Sequence, residues 1–179
     1  MKLNIVPLKF SNDPLLRKLT ERLSIVFNDI NIFYTPINIE KSYSPERRQY
    51  NSTKILESVI KANPEPEGLM MILTELDLFV PVLTHVFGEA QLNGRFSIVS
   101  ICRLYEEFYT SESDMRLVLQ RSYKEIMHEI GHNFGLYHCQ NWECVMHSSN
   151  NVENIDIKGG YFCSDCSKLL ISKRAIFSP

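Results

Sequence analysis

The chain has 179 residues, enough to bury a core of its own as one domain. Hydrophobic residues at 44%, charged residues at 22% and a net charge of −2 exclude wholesale disorder, and without a run of like charge they give no electrostatic case for a nucleic-acid or membrane partner. No window approaches the ~18 apolar residues that cross a bilayer, and MKLNIVPLKF lacks the apolar core and cleavage site of a signal peptide, so the expectation is a cytoplasmic protein, a monomer by default.

In chain order, residues 2–8 read as a buried first strand, with Pro7 near its end or on an edge because it cannot donate to a ladder. Asn12, Asp13 and Pro14 start a helix over roughly 14–27, where Leu15, Leu16, Leu19, Leu23, Val26 and Phe27 fall at helical spacing. Residues 30–39 return to strand character, bent at Pro36. A helical pattern runs from Pro45 to Ala62 and is broken by NPEPEG at 63–68. Residues 69–73 make a central strand. The apolar segment 77–90 is interrupted by Pro81 and Gly88, and 96–102 is another strand, with Cys102 a core thiol of no assigned function. The longest helix covers roughly 112–134, opened by SESD at capping-box spacing and ended at Asn133–Gly135, where glycine can adopt a positive φ. The chain is then irregular to about 162, and 163–174 forms a last short helix. This rhythm predicts an α/β fold, a mixed sheet backed by helices, in one domain over 1–179. A soft division follows residue 135, between an upper lobe of about 1–135 and a small C-terminal part of about 136–179.

The chemistry is concentrated where the long helix ends. The sequence reads His128-Glu129-x-x-His132-x-x-Gly135-x-x-His138. Residues four apart share a helix face, so His128 and His132 can address one metal ion. Gly135 lets the chain leave the helix in a conformation that bulkier residues avoid, and His138 can swing back as a third ligand. Three neutral imidazoles suit zinc and leave a position open, the arrangement of a catalytic rather than a structural site. Glu129, about 100° around the helix, flanks the metal where a base would take a proton from water. Together these point to peptide hydrolysis.

Cys139-x4-Cys144 and Cys163-x2-Cys166 supply four more ligands, enough to close a tetrahedral zinc site with no open position. Such a site would tie the irregular 139–162 segment to the last helix, a useful staple in a stretch poor in core residues. Free cysteines or a redox pair at Cys163 and Cys166 are the other reading of these positions. The expected metal content is two Zn2+ per chain, one catalytic and one structural.

His128, Glu129, His132, Gly135 and His138, followed by Cys139, Cys144, Met146, Cys163 and Cys166, resemble the archaemetzincins (archaelysins), a family of the metzincin clan of zinc peptidases. The resemblance implies a metzincin fold with a twisted mixed sheet and an active-site helix ending at Gly135. It implies that Met146 is the Met-turn, and that an edge strand above the cleft, here Val86–Ala90, pairs with extended peptide substrate. Aminopeptidase and endopeptidase action both stay open. The competing expectation is a zinc-stapled binding module with a vestigial three-histidine site; a zinc-finger nucleic-acid binder is disfavoured by the missing basic patch.

Overall fold

The computed structural model describes residues 1–177. Its centre is a five-stranded mixed sheet, built from β1 (Lys2–Leu8), β2 (Asp29–Ile32), β5 (Leu69–Thr74), β7 (Gly88–Ala90) and β8 (Phe96–Ser100) in the order β2-β1-β5-β8-β7. The β1–β2, β1–β5 and β5–β8 pairs are parallel, and β7 runs antiparallel to β8 along the edge. A small second sheet takes β3 (Tyr43–Ser44), β4 (Gln49–Asn51) and β6 (Leu78–Phe79) in the order β3-β4-β6.

The strand alternation builds the two faces. In β5 every residue is buried, as a central strand covered on both sides requires. Leu69, Met71 and Leu73 join Leu3 and Ile5 of β1 and Val99 of β8 on one face, against helices α1 (Asp13–Leu23) and α3 (Met115–Asn133). Met70 and Ile72 join Val6, Phe96 and Ile98 on the other, against Ile55, Leu56 and Val59 of α2 (Ser52–Ala62). The expected mixed sheet backed by helices is therefore what forms. Each helix is started by a side chain that accepts hydrogen bonds from its first turn: Asn12 from the Leu15 amide, Asn51 from that of Lys54, and Asp114 from those of Arg116 and Leu117.

Several boundaries differ from the sequence reading, each for a local reason. The strand expected over 30–39 stops at Ile32. The helix expected from Pro45 begins at Ser52, because Gln49–Asn51 pairs with β3 and β6 before Asn51 caps the helix. The helix expected from residue 112 begins at Met115, capped by Asp114 rather than by the SESD serines. Cys102 is not a core thiol in a strand; it is half-buried and opens a 3-10 turn, Cys102–Leu104. Pro7 sits as expected near the end of β1, beyond the reach of β2, whose pairing ends at Ile5↔Ile32.

The segment after α3 contains a short helix the sequence did not reveal, α4 (Val152–Ile157), before α5 (Ser164–Phe177). Cys144, Val145, Met146, Ile155 and Cys166 from this part are buried in the same cluster as Ile126, Met127 and Ile130 of α3. No helix among the described residues is long and apolar enough to cross a membrane.

Candidate metal centre

The centre is built on the last turns of α3. His128 and Glu129 are buried there, and His132 is half-buried. The helix then ends in a Schellman arrangement: the Gly135 N–H donates to the His132 carbonyl, and the Leu136 N–H donates to that of Gly131. Gly135 takes φ 74°, the left-handed conformation in which a Cβ is costly. That reversal turns the chain back toward the helix, and His138 arrives beside the other two imidazoles, with ring centroids 5.3 Å from His128 and 5.1 Å from His132. One ligand atom from each of the three histidines lies within 4.8 Å of the others.

The hydrogen bonds fix which nitrogen faces the centre. His128 Nδ1 donates to the Val145 carbonyl at 2.8 Å and His132 Nδ1 to the Leu136 carbonyl at 2.7 Å; a carbonyl only accepts, so the proton is on Nδ1. Each Nε2 is then a bare lone pair, and the two stand 3.1 Å apart. Burial pushes all three histidines toward the neutral form, His128 most strongly. Two lone pairs at that distance repel unless a cation lies between them. Nitrogens about 2.0–2.1 Å from one tetrahedral ion sit about 3.3 Å apart, so the donor set and its spacing fit zinc.

Glu129 lies in a cleft of about 450 Å³ whose walls include the three histidines, β7 and the Ser148–Asn150 loop. Its carboxyl is held well above the usual carboxylate range, first by burial and then by the like charge of Glu125, one helical turn earlier. Glu125 in turn pairs with Lys158, whose Nζ is 2.8 Å from Oε1. Both side chains are almost entirely buried, at 4% and 1% exposure, and the same ammonium donates to the His147 carbonyl at 3.2 Å. Sequence reasoning missed this pair. Glu125 stands four residues before Glu129, at same-face spacing, but Lys158 lies in a polar stretch with no pattern to single it out.

The four cysteines also converge. Cys139, Cys144, Cys163 and Cys166 bring their sulfurs within 4.8 Å of one another. Cys139 and Cys163 Sγ are 3.8 Å apart, too far for a disulfide (about 2.05 Å) and close to the separation of about 3.8 Å set by two ~2.3 Å zinc–sulfur bonds at a tetrahedral angle. Backbone amides point at these sulfurs: Asn141 N–H at Cys139 and Cys163 N–H at Cys144. The Cys166 amide, foremost among several donors, brings the Cys163 thiol down to about 7. The donor set fits a closed zinc site.

The two clusters are adjoined through the backbone. The Cys139 N–H donates to the Met146 carbonyl at 2.9 Å. The Met146 side chain is fully buried and fills the space over Gly131, between the two helical histidines; a Cβ on Gly131 would overlap its sulfur.

The family model for Peptidase family M54 matches residues 23–172. The archaemetzincin of Methanocaldococcus jannaschii is 37% identical over 171 residues, covering 95% of this chain and 93% of that one. Among solved structures, the archaemetzincin of Archaeoglobus fulgidus complexed with malonate superposes with a TM-score of 0.82 at 35% identity, over 94% of this chain and 99% of that one. The archaemetzincin of Methanopyrus kandleri gives 0.84 at 31%, over 98% and 96%. Metalloproteinase-II of Bacteroides fragilis, at 11% identity and a TM-score of 0.60, covers 97% of this chain and 52% of that one and shares the fold alone.

Proposed function

Because the chain belongs to the archaemetzincins, peptidase family M54, and is a zinc metallopeptidase, we propose that it hydrolyses peptide bonds at the His128–His132–His138 centre with Glu129 as the general base. The observation that carries this reading is the pair of bare Nε2 atoms at the end of α3, with a buried carboxylate on the next residue of the same helix. His128, His132 and His138 would hold zinc and leave its fourth position open. When bound, the ion supplies Lewis acidity, polarising a peptide carbonyl and acidifying water beside it to a pKa near ~7.

The rest is work for the chain. Val145 and Leu136 hold the two imidazoles in the tautomer that binds metal, through their carbonyls. Glu129 takes the proton of the attacking water on its carboxylate and returns it to the nitrogen of the leaving amine. Burial strengthens it as a base for the first transfer.

In the same proposal Cys139, Cys144, Cys163 and Cys166 hold a second, structural zinc. It fixes Cys139, and so the backbone that aims His138. Met146 acts as the Met-turn under the ligand helix, and β7, at the sheet edge along the cleft, offers its backbone to an extended peptide. The chain works as one domain, a cytoplasmic monomer, with its C-terminal part stapled onto α3; the shared core at Met127, Met146 and Cys166 supports that organisation.

A quenched-fluorescence peptide library separates this reading from a binding module with a vestigial site. Zinc-loaded Glu129→Gln is expected to lose about 10²–10⁴-fold in turnover with its zinc content unchanged. Full activity in that variant would contradict the assignment of the base.

A further inference from the structure

Where β7 crosses α3 it carries Gly88, directly against Glu129. A Cβ built on Gly88 would lie 2.6 Å from Glu129 Oε1 and 2.8 Å from both Cδ and Cγ, well inside the ~3.5–4.0 Å at which carbon atoms pack. These are its three nearest atoms, so the overlap falls on one side chain and not on backbone.

The strand itself does not ask for glycine. Gly88 is not among the positive-φ glycines, which are Gly68 and Gly135, and it is an ordinary ladder residue opposite Val99. Glycine inside a strand weakens it, by roughly 0.5–1 kcal/mol relative to alanine, so another cause must favour it.

Neither partner can move away without consequence. β7 is fixed along one edge by its pairing with β8, and the Ser100 N–H donates to the Phe87 carbonyl just before it. The next residue, Glu89, accepts hydrogen bonds from the hydroxyls of Ser52 and Thr53 at the start of α2. On the other side Glu129 has the carboxylate of Glu125 one turn below it. The strand is held in place, so the side that gives way is the Glu129 side chain, toward the cleft it borders.

We propose that Gly88 is a positioning residue for the reaction: the missing side chain leaves the one volume in which the Glu129 carboxylate can lie under β7 at the wall of the cleft. The inference rests on Glu129 as general base. It predicts that a methyl group at position 88 displaces the base and leaves the fold intact, because the atoms that must yield, Cγ, Cδ and Oε1, belong to one side chain and not to backbone.

The test is Gly88→Ala, assayed on a quenched-fluorescence peptide that the wild type cleaves. The expected result is a fall in kcat of about 10–100-fold, the scale of a misplacement of about 1 Å. KM stays within about twofold, and zinc content and thermal midpoint match wild type. An unchanged kcat overturns the inference. So does a loss carried by KM alone, which would make the glycine a seat for substrate backbone, or a loss matched by lost zinc or a collapsed midpoint, which would make it a fold residue. In the Glu129→Gln background Gly88→Ala should take nothing more from the residual kcat; a full additive loss also overturns it. If Glu129→Gln is inactive and Gly88→Ala fully active, this inference falls alone; if Glu129→Gln is active, the assignment of the base falls with it.

Discussion

The proton on Nδ1 decides what His128 and His132 can do. With that proton given to a carbonyl, each ring has one nitrogen left, and acidification must add a second proton there. Burial holds His128, His132 and His138 below their usual value of 6.5. The unfolded chain therefore binds more protons than the folded one once pH drops below about 6.5, and stability falls as pH falls. The same protons compete with zinc, so metal loss has the same sign. Glu129, held well above its usual range, acts with the opposite sign, so the test uses the Glu129→Gln chain: its zinc-free thermal midpoints should decline between pH 7.5 and 5, and zinc retained after gel filtration should decline with them. A midpoint of that variant that rises on acidification would contradict the neutral imidazoles.

At this scale the sequence was informative where spacing is chemistry. His128, Glu129 and His132 are fixed by the period of a helix, and Gly135 by the need for a positive φ, which the structure meets at 74°. The cysteines read as two pairs and come together as one cluster. Gly88 and Lys158 were not legible as site residues. Gly88 faces Glu129 and Lys158 faces Glu125, both distant in the chain, and neither sits in a local pattern that announces the contact.

At the scale of elements, α3 is the part on which everything else is aligned. Gly131, inside the ligand helix, is bare because Met146 lies over it, and Arg121 and Lys158 fasten the helix to the C-terminal part. The buried Arg121 guanidinium forks onto Asp156 at 2.8 and 2.6 Å and reaches Glu106 at 2.8 Å. Lys158 pairs with Glu125 in a drier place. Removing one member of a buried ion pair leaves the other charge uncompensated, at a cost of about 3–5 kcal/mol, whereas apolar replacement of both is often neutral. Lys158→Met should therefore destabilise the chain by about that amount in urea unfolding. Adding Glu125→Leu should recover most of it. A single variant as stable as wild type would show that water reaches the pair.

Elements long enough to show a period were read with small errors: β1 and β5, and the body of α1, α2 and α3. The short ones were not. β3, β4 and β6 have two or three residues each, too few for an alternation to register. They exist because neighbours pair with them. α4 has six residues and is held by the Asn151 cap and by Val152 and Ile155 packing inward, none of which a periodicity search finds.

In the whole molecule, two groups of metal-ligating side chains of different character meet across one peptide bond. His138 belongs to the three-histidine group and Cys139 to the four-cysteine group; on the proposed zinc assignment the C-terminal part braces the site as well as forming its far wall. The mixed sheet, its edge strand β7 and the ligand helix α3 form the near side, with the cleft between. The convergence of the four cysteines was legible from their spacing. The shared core with α3 was not, because the polar run 147–151 separates Val145 and Met146 from Ile155.

The most direct measurement is a peptide-library digest by the wild-type chain, with zinc per chain determined on the same sample. The expected result is two zinc ions per chain and new peptide termini that disappear when the ions are chelated and return when zinc is restored. Two zinc ions per chain with no cleavage of any library member would contradict the proposed hydrolysis, and would leave a zinc-stapled binding module in its place.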